Sequence, residues 1–83
     1  MTITVFEHNV PQYLDRGFYQ YIFIAGSGSA IIELGDDNGN FIPMKDGVIP
    51  SDKEGTINVS SFPIRVQLSG DAVFSISKIR HDV

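Results

Sequence analysis

The sequence contains no cysteine and no tryptophan in 83 residues, and it has few basic side chains. Without cysteine, neither a disulfide framework nor a thiolate metal site can reinforce the core. The six lysine and arginine residues are scattered and are outnumbered by ten acidic ones, which gives a net charge of −4. Proteins that neutralise phosphates concentrate positive charge on one face. We therefore expect no nucleic-acid partner.

Long hydrophobic runs are also missing. The longest apolar stretch, "YIFIAG", is far too short to cross a bilayer, and "MTITVFEHNVP" lacks the basic and apolar regions of a signal peptide. We expect no membrane partner, and synthesis in a cytoplasm. The composition, 42% hydrophobic and 19% charged, is that of a folded chain, so we predict one domain over residues 1–83. Small domains without disulfides or metals often gain stability by oligomerising.

Short runs of alternating apolar and polar residues predict β-strands. "FPIRVQLSG", "DAVFSISK" and "TINVS" place apolar side chains at every second position, and "TITVF" does so more weakly. Turn signals separate these runs, and no window shows a convincing helical period, although "PQYLDRG" could form one helical turn. The sequence therefore predicts an all-β fold, a single small antiparallel β-sandwich or barrel of about seven to eight short strands.

The run "FYQYIFIA" differs from the others because both of its faces are apolar. Its own chain could cover both sides, but a two-layer sandwich has one core, so the second face would then need another cover. Tyrosine and phenylalanine are also enriched at protein interfaces. We predict an interface strand here, with the aromatic side chains as anchors. The candidate anchors are Phe18, Tyr19, Tyr21 and Phe23.

The segment "GDDNGN" (35–40) is dense in oxygen-bearing side chains and could either hold a cation or reverse the chain. An EF-hand-type loop that starts at Asp36 needs glycine at its sixth position and glutamate at its twelfth, where this sequence has Phe41 and Gly47. Asn38-Gly39 is instead a strong hairpin signal, since both residue types tolerate positive φ. We predict a hairpin turn and no metal site.

The remaining polar segments do not form a catalytic motif. "GSGSA" (26–30) lacks glycines required by a dinucleotide fingerprint and by a nucleophile elbow, so we predict a flexible turn there. His8 and His81 lack the neighbouring ligands of a zinc site, which favours surface histidines. Glu33 could join an aspartate in glycoside chemistry, but so short a chain leaves little wall for a cleft. We expect Glu33 to face solvent, and we expect no catalytic residue and no cofactor.

The segment "KDGVIPSDKEG" (45–55) carries charges of both signs and turn-forming residues. We predict a long surface loop in which Asp46-Gly47 makes a turn of its own. Loops on a β scaffold often carry binding residues, so this segment is a second candidate for partner contacts.

The order of strands and turns from Ala30 to Lys78 resembles a known class of proteins. "AIIELGDDNGNFIPMKDG" combines a strand, an Asx-Gly turn, an aromatic-x-Pro strand and an Asp-Gly turn. "GTINVSSFPIRVQLSGDAVFSI" continues with a Pro-x-Arg-Val-x-Leu-Ser-Gly segment and a final strand. This order is similar to that of small all-β accessory or decoration virion proteins of tailed bacteriophages. Residues 1–17 match nothing in that class and form a candidate extended arm.

The resemblance implies a non-enzymatic structural role in the head or tail of a phage virion, after synthesis in the host cytoplasm. It implies association with further copies, as trimers or larger assemblies, and with other virion proteins. Two alternatives remain open. One is a small carbohydrate- or receptor-binding module, whose aromatic platform would involve Tyr13, Tyr19 or Tyr21. The other is an acidic inhibitor of a host enzyme.

Overall fold

The alternating segments of the sequence form a β-sandwich. A computed structural model describes residues 3–59 and 62–80, which contain eight strands in two four-stranded antiparallel sheets. The strands are β1 (Ile3–Val5), β2 (Gln12–Tyr13), β3 (Gly17–Ile24), β4 (Ala30–Gly35), β5 (Phe41–Ile49), β6 (Lys53–Val59), β7 (Pro63–Leu68) and β8 (Val73–Arg80). Sheet A has the order β1-β8-β3-β6, and sheet B has the order β2-β7-β4-β5. The predicted fold class is confirmed.

Strands from the first half of the chain pair with strands from the second half in reverse order. β1 pairs with β8, β2 with β7, β3 with β6 and β4 with β5, and the β3–β8 and β4–β7 pairs complete the two sheets. Two packed sheets of eight strands in this order form a jelly roll. Only β4 and β5 are neighbours both in sequence and in one sheet. Nearly all strand pairs are therefore long-range.

The core lies between the inner faces of the two sheets. The inward residues predicted for β6, β7 and β8 are confirmed at Ile57 and Val59, at Ile64 and Val66, and at Phe74 and Ile76, all of which are buried. At its centre the Phe74 ring stacks on Tyr21 and meets Phe6 edge-on, with 5.3 Å between ring centroids in each pair. Aromatic and branched aliphatic side chains fill most of this core.

Three of the four candidate interface anchors on β3 face the core. Tyr19, Tyr21 and Phe23 are buried in the core and hold its two layers together, so their rings are not accessible to a partner. Of the four candidates, Phe18 alone lies on the outer side of β3. The correction has a simple cause: alternation shows which residues share a face, but not which face is covered.

Residues 3–17, the described part of the candidate arm, are part of the sandwich. β1 pairs with β8, β2 pairs with β7, and Phe6 between them is buried in the core. The helical turn considered for residues 11–17 is absent, because β2 occupies that segment. Within the described residues there is no helix that is long and apolar enough to span a membrane.

The predicted hairpin at residues 35–40 is confirmed. The Asp36 amide donates to the Asn40 carbonyl at 2.9 Å, and the Asp36 carboxylate accepts the amides of Asn38 and Asn40, both at 2.9 Å. Only Gly39 takes a positive φ, 85°, so the turn is a five-residue loop rather than the two-residue turn that positive φ at both Asn38 and Gly39 would form.

The long loop predicted for residues 45–55 is wrong. β5 continues to Ile49 and β6 begins at Lys53, which leaves a connection of residues 50–52. Asp46 does take a positive φ of 59°, but it does so inside β5, where the register with β4 shifts between Ile31 and Glu33. The Asp-Gly pair thus forms a bulge in an edge strand, a device that disrupts pairing locally without ending the strand.

Candidate functional site

The Asp36 side chain holds the hairpin loop between β4 and β5 together. Both carboxylate oxygens of Asp36 accept hydrogen bonds from within the loop, including one from the Asn40 side-chain amide at 3.1 Å. The hydrogen bonds from Asn40, first from its backbone and then from its side chain, hold the pKa of Asp36 below its ordinary value. No group of three or more metal-ligating side chains occurs among the described residues.

The "GSGSA" segment is a fixed turn rather than a flexible one. The Asp71 carboxylate accepts the Ser27 amide at 2.6 Å and the Ser27 hydroxyl at 2.9 Å, and the Ser69 hydroxyl accepts the Ser29 amide at 2.9 Å. The Ser27 amide and hydroxyl lower the pKa of Asp71. These bonds tie the β3–β4 connection to the β7–β8 connection, so the serines and the aspartate stabilise two turns and are not arranged as a nucleophile with its base.

His8 has a structural role. Its Nδ1 accepts the Leu68 amide at 2.9 Å, and the adjacent Asn9 amide donates to the Val66 carbonyl at 2.9 Å. These two hydrogen bonds hold the connection between β1 and β2 against β7. The ring nitrogen that bonds Leu68 is therefore not available to a metal, and His81 lies outside the described residues.

The outer face of sheet B carries a buried ionic network, which the sequence did not predict. Glu33 points outward as expected, but it is only 6% exposed. Arg65 Nε donates to its Oε1 at 2.8 Å and Gln67 Nε2 to its Oε2 at 3.0 Å. Burial raises the pKa of Glu33, yet the hydrogen bonds from Arg65 and Gln67 outweigh it and leave that pKa below its ordinary value.

An aromatic ring covers this network. The Arg65 guanidinium lies over the Phe41 ring, 4.2 Å from its centroid. The ring lies close over Gly35, where an added Cβ would be 2.5 Å from a ring carbon. Glu33 is thus not solvent-facing, because side chains from β5 and β7 close over it. The same contacts occupy its carboxylate, so it is held as a structural anion rather than positioned as an acid catalyst.

The outer face of sheet A, called the sheet A face below, is open. Val5, Ser75 and Ile22 are register partners across three adjacent strands, and Ile3, Ser77 and Gln20 form the next row. The small serines of β8 form a trough between higher ridges on β1 and β3. Five aliphatic side chains of this face are between 44% and 63% exposed: Ile3, Val5, Ile22, Ile24 and Val73. Within these two rows the β6 edge contributes one charge, that of Glu54 opposite Ile22.

A groove, called the Tyr13 groove below, opens at one end of sheet B. It has a volume of about 310 Å³ and combines apolar with charged side chains. Tyr19 anchors one wall, because its hydroxyl donates to the Asp15 carbonyl at 2.7 Å, and burial followed by the charge of Asp15 raises the pKa of Tyr19. The lining residues are Tyr13, Leu14, Asp15, Arg16, Asp37, Phe62 and Pro63.

Two exposed surfaces of the described residues are candidates for binding. The sheet A face offers apolar area, and the Tyr13 groove offers a mixed surface, whereas the titratable groups in hydrogen-bond networks are committed to the fold. Sequence patterns showed that both faces of β3 are apolar but not which face is outward. The groove is assembled from three separate segments and has no local signature. Comparisons with protein-family models, curated proteins and solved structures returned no significant match.

Proposed function

We propose that the protein is a non-enzymatic structural subunit that associates with further copies of itself through the sheet A face and forms part of a phage particle. The observation that carries the proposal is the cluster of five exposed aliphatic side chains on adjacent strands. Contiguous exposed apolar surface of this kind marks interaction sites in stable proteins. The ridge side chains Ile22 and Ile24 replace the predicted anchors Tyr19, Tyr21 and Phe23, and Phe18 stays on the interface side.

The chemistry of the face favours a second copy as its partner. Two sheets that pack face to face interdigitate their side chains at a spacing of about 10 Å. In a symmetric pair, the ridge of Ile22 and Ile24 on one copy can lie over the trough of Ser75 and Ser77 on the other. The two rows through these serines bring little charge together, so a protein with a net charge of −4 can self-associate here without strong repulsion.

The size of the face sets the expected stability of one contact. The strands β1, β8, β3 and β6 have 3, 8, 8 and 7 residues. At a strand spacing of about 4.8 Å and a rise of about 3.4 Å per residue, they give a footprint of roughly 400 Å². A standard interface buries about 800 Å² per partner. One face-to-face contact is therefore expected to be weak. Symmetric repetition, or contact with another protein of the particle, would supply the remaining area.

The phage assignment rests on two further points. The order of strands and turns from Ala30 to Lys78 resembles small virion proteins of tailed phages, and the jelly roll is an architecture found in viral capsid domains. Both points are analogies at the level of the fold, which hosts other functions as well. The proposal includes head and tail locations alike.

The test of self-association is the solution mass, measured by size-exclusion chromatography with light scattering over a concentration series. We expect an oligomer that Ile22→Asp dissociates, because a carboxylate would be desolvated in the contact. Ile42→Asp is the matched control, since Ile42 is also exposed but lies on the β5 edge of sheet B. A protein that is monomeric at every concentration would refute self-association, and equal effects of the two variants would refute the sheet A face.

The virion assignment has a separate test. Particles purified from a culture of the phage that encodes this chain should contain it at stoichiometric amounts by quantitative mass spectrometry. Its absence from intact particles would refute the virion role, whatever the solution mass shows.

A further inference from the structure

The Tyr13 groove has no role in the proposed self-association, because it belongs to sheet B and the contact face belongs to sheet A. Part of its lining is apolar although it is exposed to solvent. Tyr13 pairs with Pro63 through the two-residue strand β2, yet its side chain is 81% exposed. The ring contributes little to the core and leaves a flat apolar surface open beside Pro63 and Phe62.

The groove is also lined by charged side chains, which are not engaged by other described side chains. Within the residues that the structure describes, no hydrogen bond or ion pair engages the side chains of Asp15, Arg16 or Asp37. Their backbone is nevertheless fixed. Tyr19 holds the Asp15 carbonyl, and the bonds of Asp36 hold the hairpin that presents Asp37. The groove therefore offers two acceptors and one donor group on a preorganised frame.

The mixture of charges narrows the class of ligand. Two carboxylates of the lining, Asp15 and Asp37, disfavour a phosphate or other anion, while Arg16, which also lines the groove, disfavours a lysine side chain or a metal ion. An apolar ring wall favours a ligand with a flat apolar face. A ligand that meets all of these conditions is neutral, has one apolar face and carries hydroxyl groups that both donate and accept. A pyranose sugar has this chemistry.

We propose that the Tyr13 groove binds a neutral saccharide. The Tyr13 ring stacks on the apolar face of one sugar ring, Asp15 and Asp37 accept hydrogen bonds from its hydroxyls, and Arg16 donates to a sugar oxygen. A volume of about 310 Å³ is at the lower end of the range for small-molecule sites, so the groove accommodates a mono- or disaccharide. Binding is weak because the groove is open to solvent on one side.

The Tyr13 groove and the proposed contact face lie on different sheets. When the sheet A face is covered by another copy, the groove on sheet B stays accessible. A particle built from many copies would then present many weak sites, and such multivalency raises the avidity for a glycan surface without new contacts. Loss of sugar binding leaves the oligomer mass unchanged, and a monomeric protein can still bind sugar, so the two proposals fail separately.

The experiment is a titration of the full chain, labelled with ¹⁵N, by glucose, galactose, mannose, N-acetylglucosamine, lactose and chitobiose, followed by amide chemical shifts. Sorbitol is the control for hydroxyl groups without a ring, and lysine and inorganic phosphate are the controls for the two charge classes. We expect at least one sugar to shift the amides of residues 13–16, 37 and 62–63 in a saturable way, and the three controls not to.

Variants test the individual roles. Tyr13→Ala should weaken binding about tenfold or more, because the stacking face is lost, whereas Tyr13→Phe should retain it. Val48→Ala is the matched control, since Val48 is exposed on the same sheet but does not line the groove. The proposal is overturned if none of the sugars shifts these amides, if the shifts map elsewhere, if Tyr13→Ala binds as the wild type does, or if lysine or phosphate binds more tightly.

Discussion

The outer faces of the two sheets differ in how far side chains of the same molecule cover them. On sheet B the chain covers the part of its outer face around Glu33, because Arg65 and Gln67 bond the Glu33 carboxylate and Phe41 stacks on Arg65. On the sheet A face the side chains of Ile3, Val5, Ile22, Ile24 and Val73 stay open. A buried charge becomes part of the fold when side chains of the same molecule pair with it. Exposed aliphatic ridges have no such internal partner, so a second molecule must cover them if they are to be buried.

The largest expected effect comes from breaking the network on sheet B. Arg65→Ala leaves the Glu33 carboxylate buried with Gln67 as its remaining side-chain donor, and it removes the group that stacks on Phe41. We expect a loss of about 3 kcal/mol in the free energy of unfolding, measured by urea denaturation. The double variant Glu33→Leu with Arg65→Met should recover most of that loss. A loss below about 1 kcal/mol for Arg65→Ala, within the range of surface ion pairs, would show that Glu33 is not buried in solution.

The next effect is a loss of stability in acid that depends on Glu33. Its pKa is lower in the folded protein than in the unfolded chain, so the folded state binds the proton less tightly. Its contribution is complete above the ordinary glutamate pKa and disappears as the pH falls through the lower folded value. Unfolding curves between neutral and acidic pH should therefore be flatter for Glu33→Gln than for the wild type.

Asp36→Asn provides the control for this pH dependence. The pKa of Asp36 is also lowered, which acts in the same direction, but Asp36 is exposed and its contribution is weakened by solvent. The Asp36→Asn variant should therefore retain most of the wild type's loss of stability at acidic pH. Parallel pH profiles for the wild type and Glu33→Gln would contradict a stabilising role for the Glu33 carboxylate.

The smallest expected effect comes from two variants that each add one methyl group, one to the outer face of sheet B and one to the sheet A face. Gly35→Ala places its Cβ against the Phe41 ring and should displace that ring from Arg65, at a cost of about 1 kcal/mol in the free energy of unfolding. Ser75→Thr adds its methyl group to the open trough of the sheet A face and should change the monomer's stability by less than about 0.5 kcal/mol. In a Phe41→Ala background the cost of Gly35→Ala should vanish. Equal costs at both positions would contradict the difference between the faces.

Several features of the fold could be predicted because they depend on local patterns. The period of two identified Ile64 and Val66 in β7 as core residues, and the Asx-Gly sequence identified the hairpin after β4. The Asp46-Gly47 pair misled for a physical reason. The same positive φ that permits a turn also permits a bulge, and pairing with β4 on both sides of Asp46 keeps the chain in the sheet.

The candidate sites could be predicted only in part. Phe18 and its neighbours on β3 were recognised as a second apolar face, but β1 was too short for its pattern to show that Ile3 and Val5 join that face. The Tyr13 groove had no signal in the sequence beyond the tyrosine itself. Its walls come from segments around residues 13, 37 and 62, which approach one another only in the folded chain.

The sequence by itself determined that this protein is built from short antiparallel strands, because side chains in strands alternate and turn-forming residues separate the runs. The tertiary structure decided which side of each strand is covered. Tyr21 entered the core and Ile22 stayed outside because β3 packs its odd-numbered residues against sheet B, although both of its faces are apolar. The same long-range pairing buried Glu33 beneath residues from β5 and β7. Alternation is a local property, whereas burial depends on which distant strands meet.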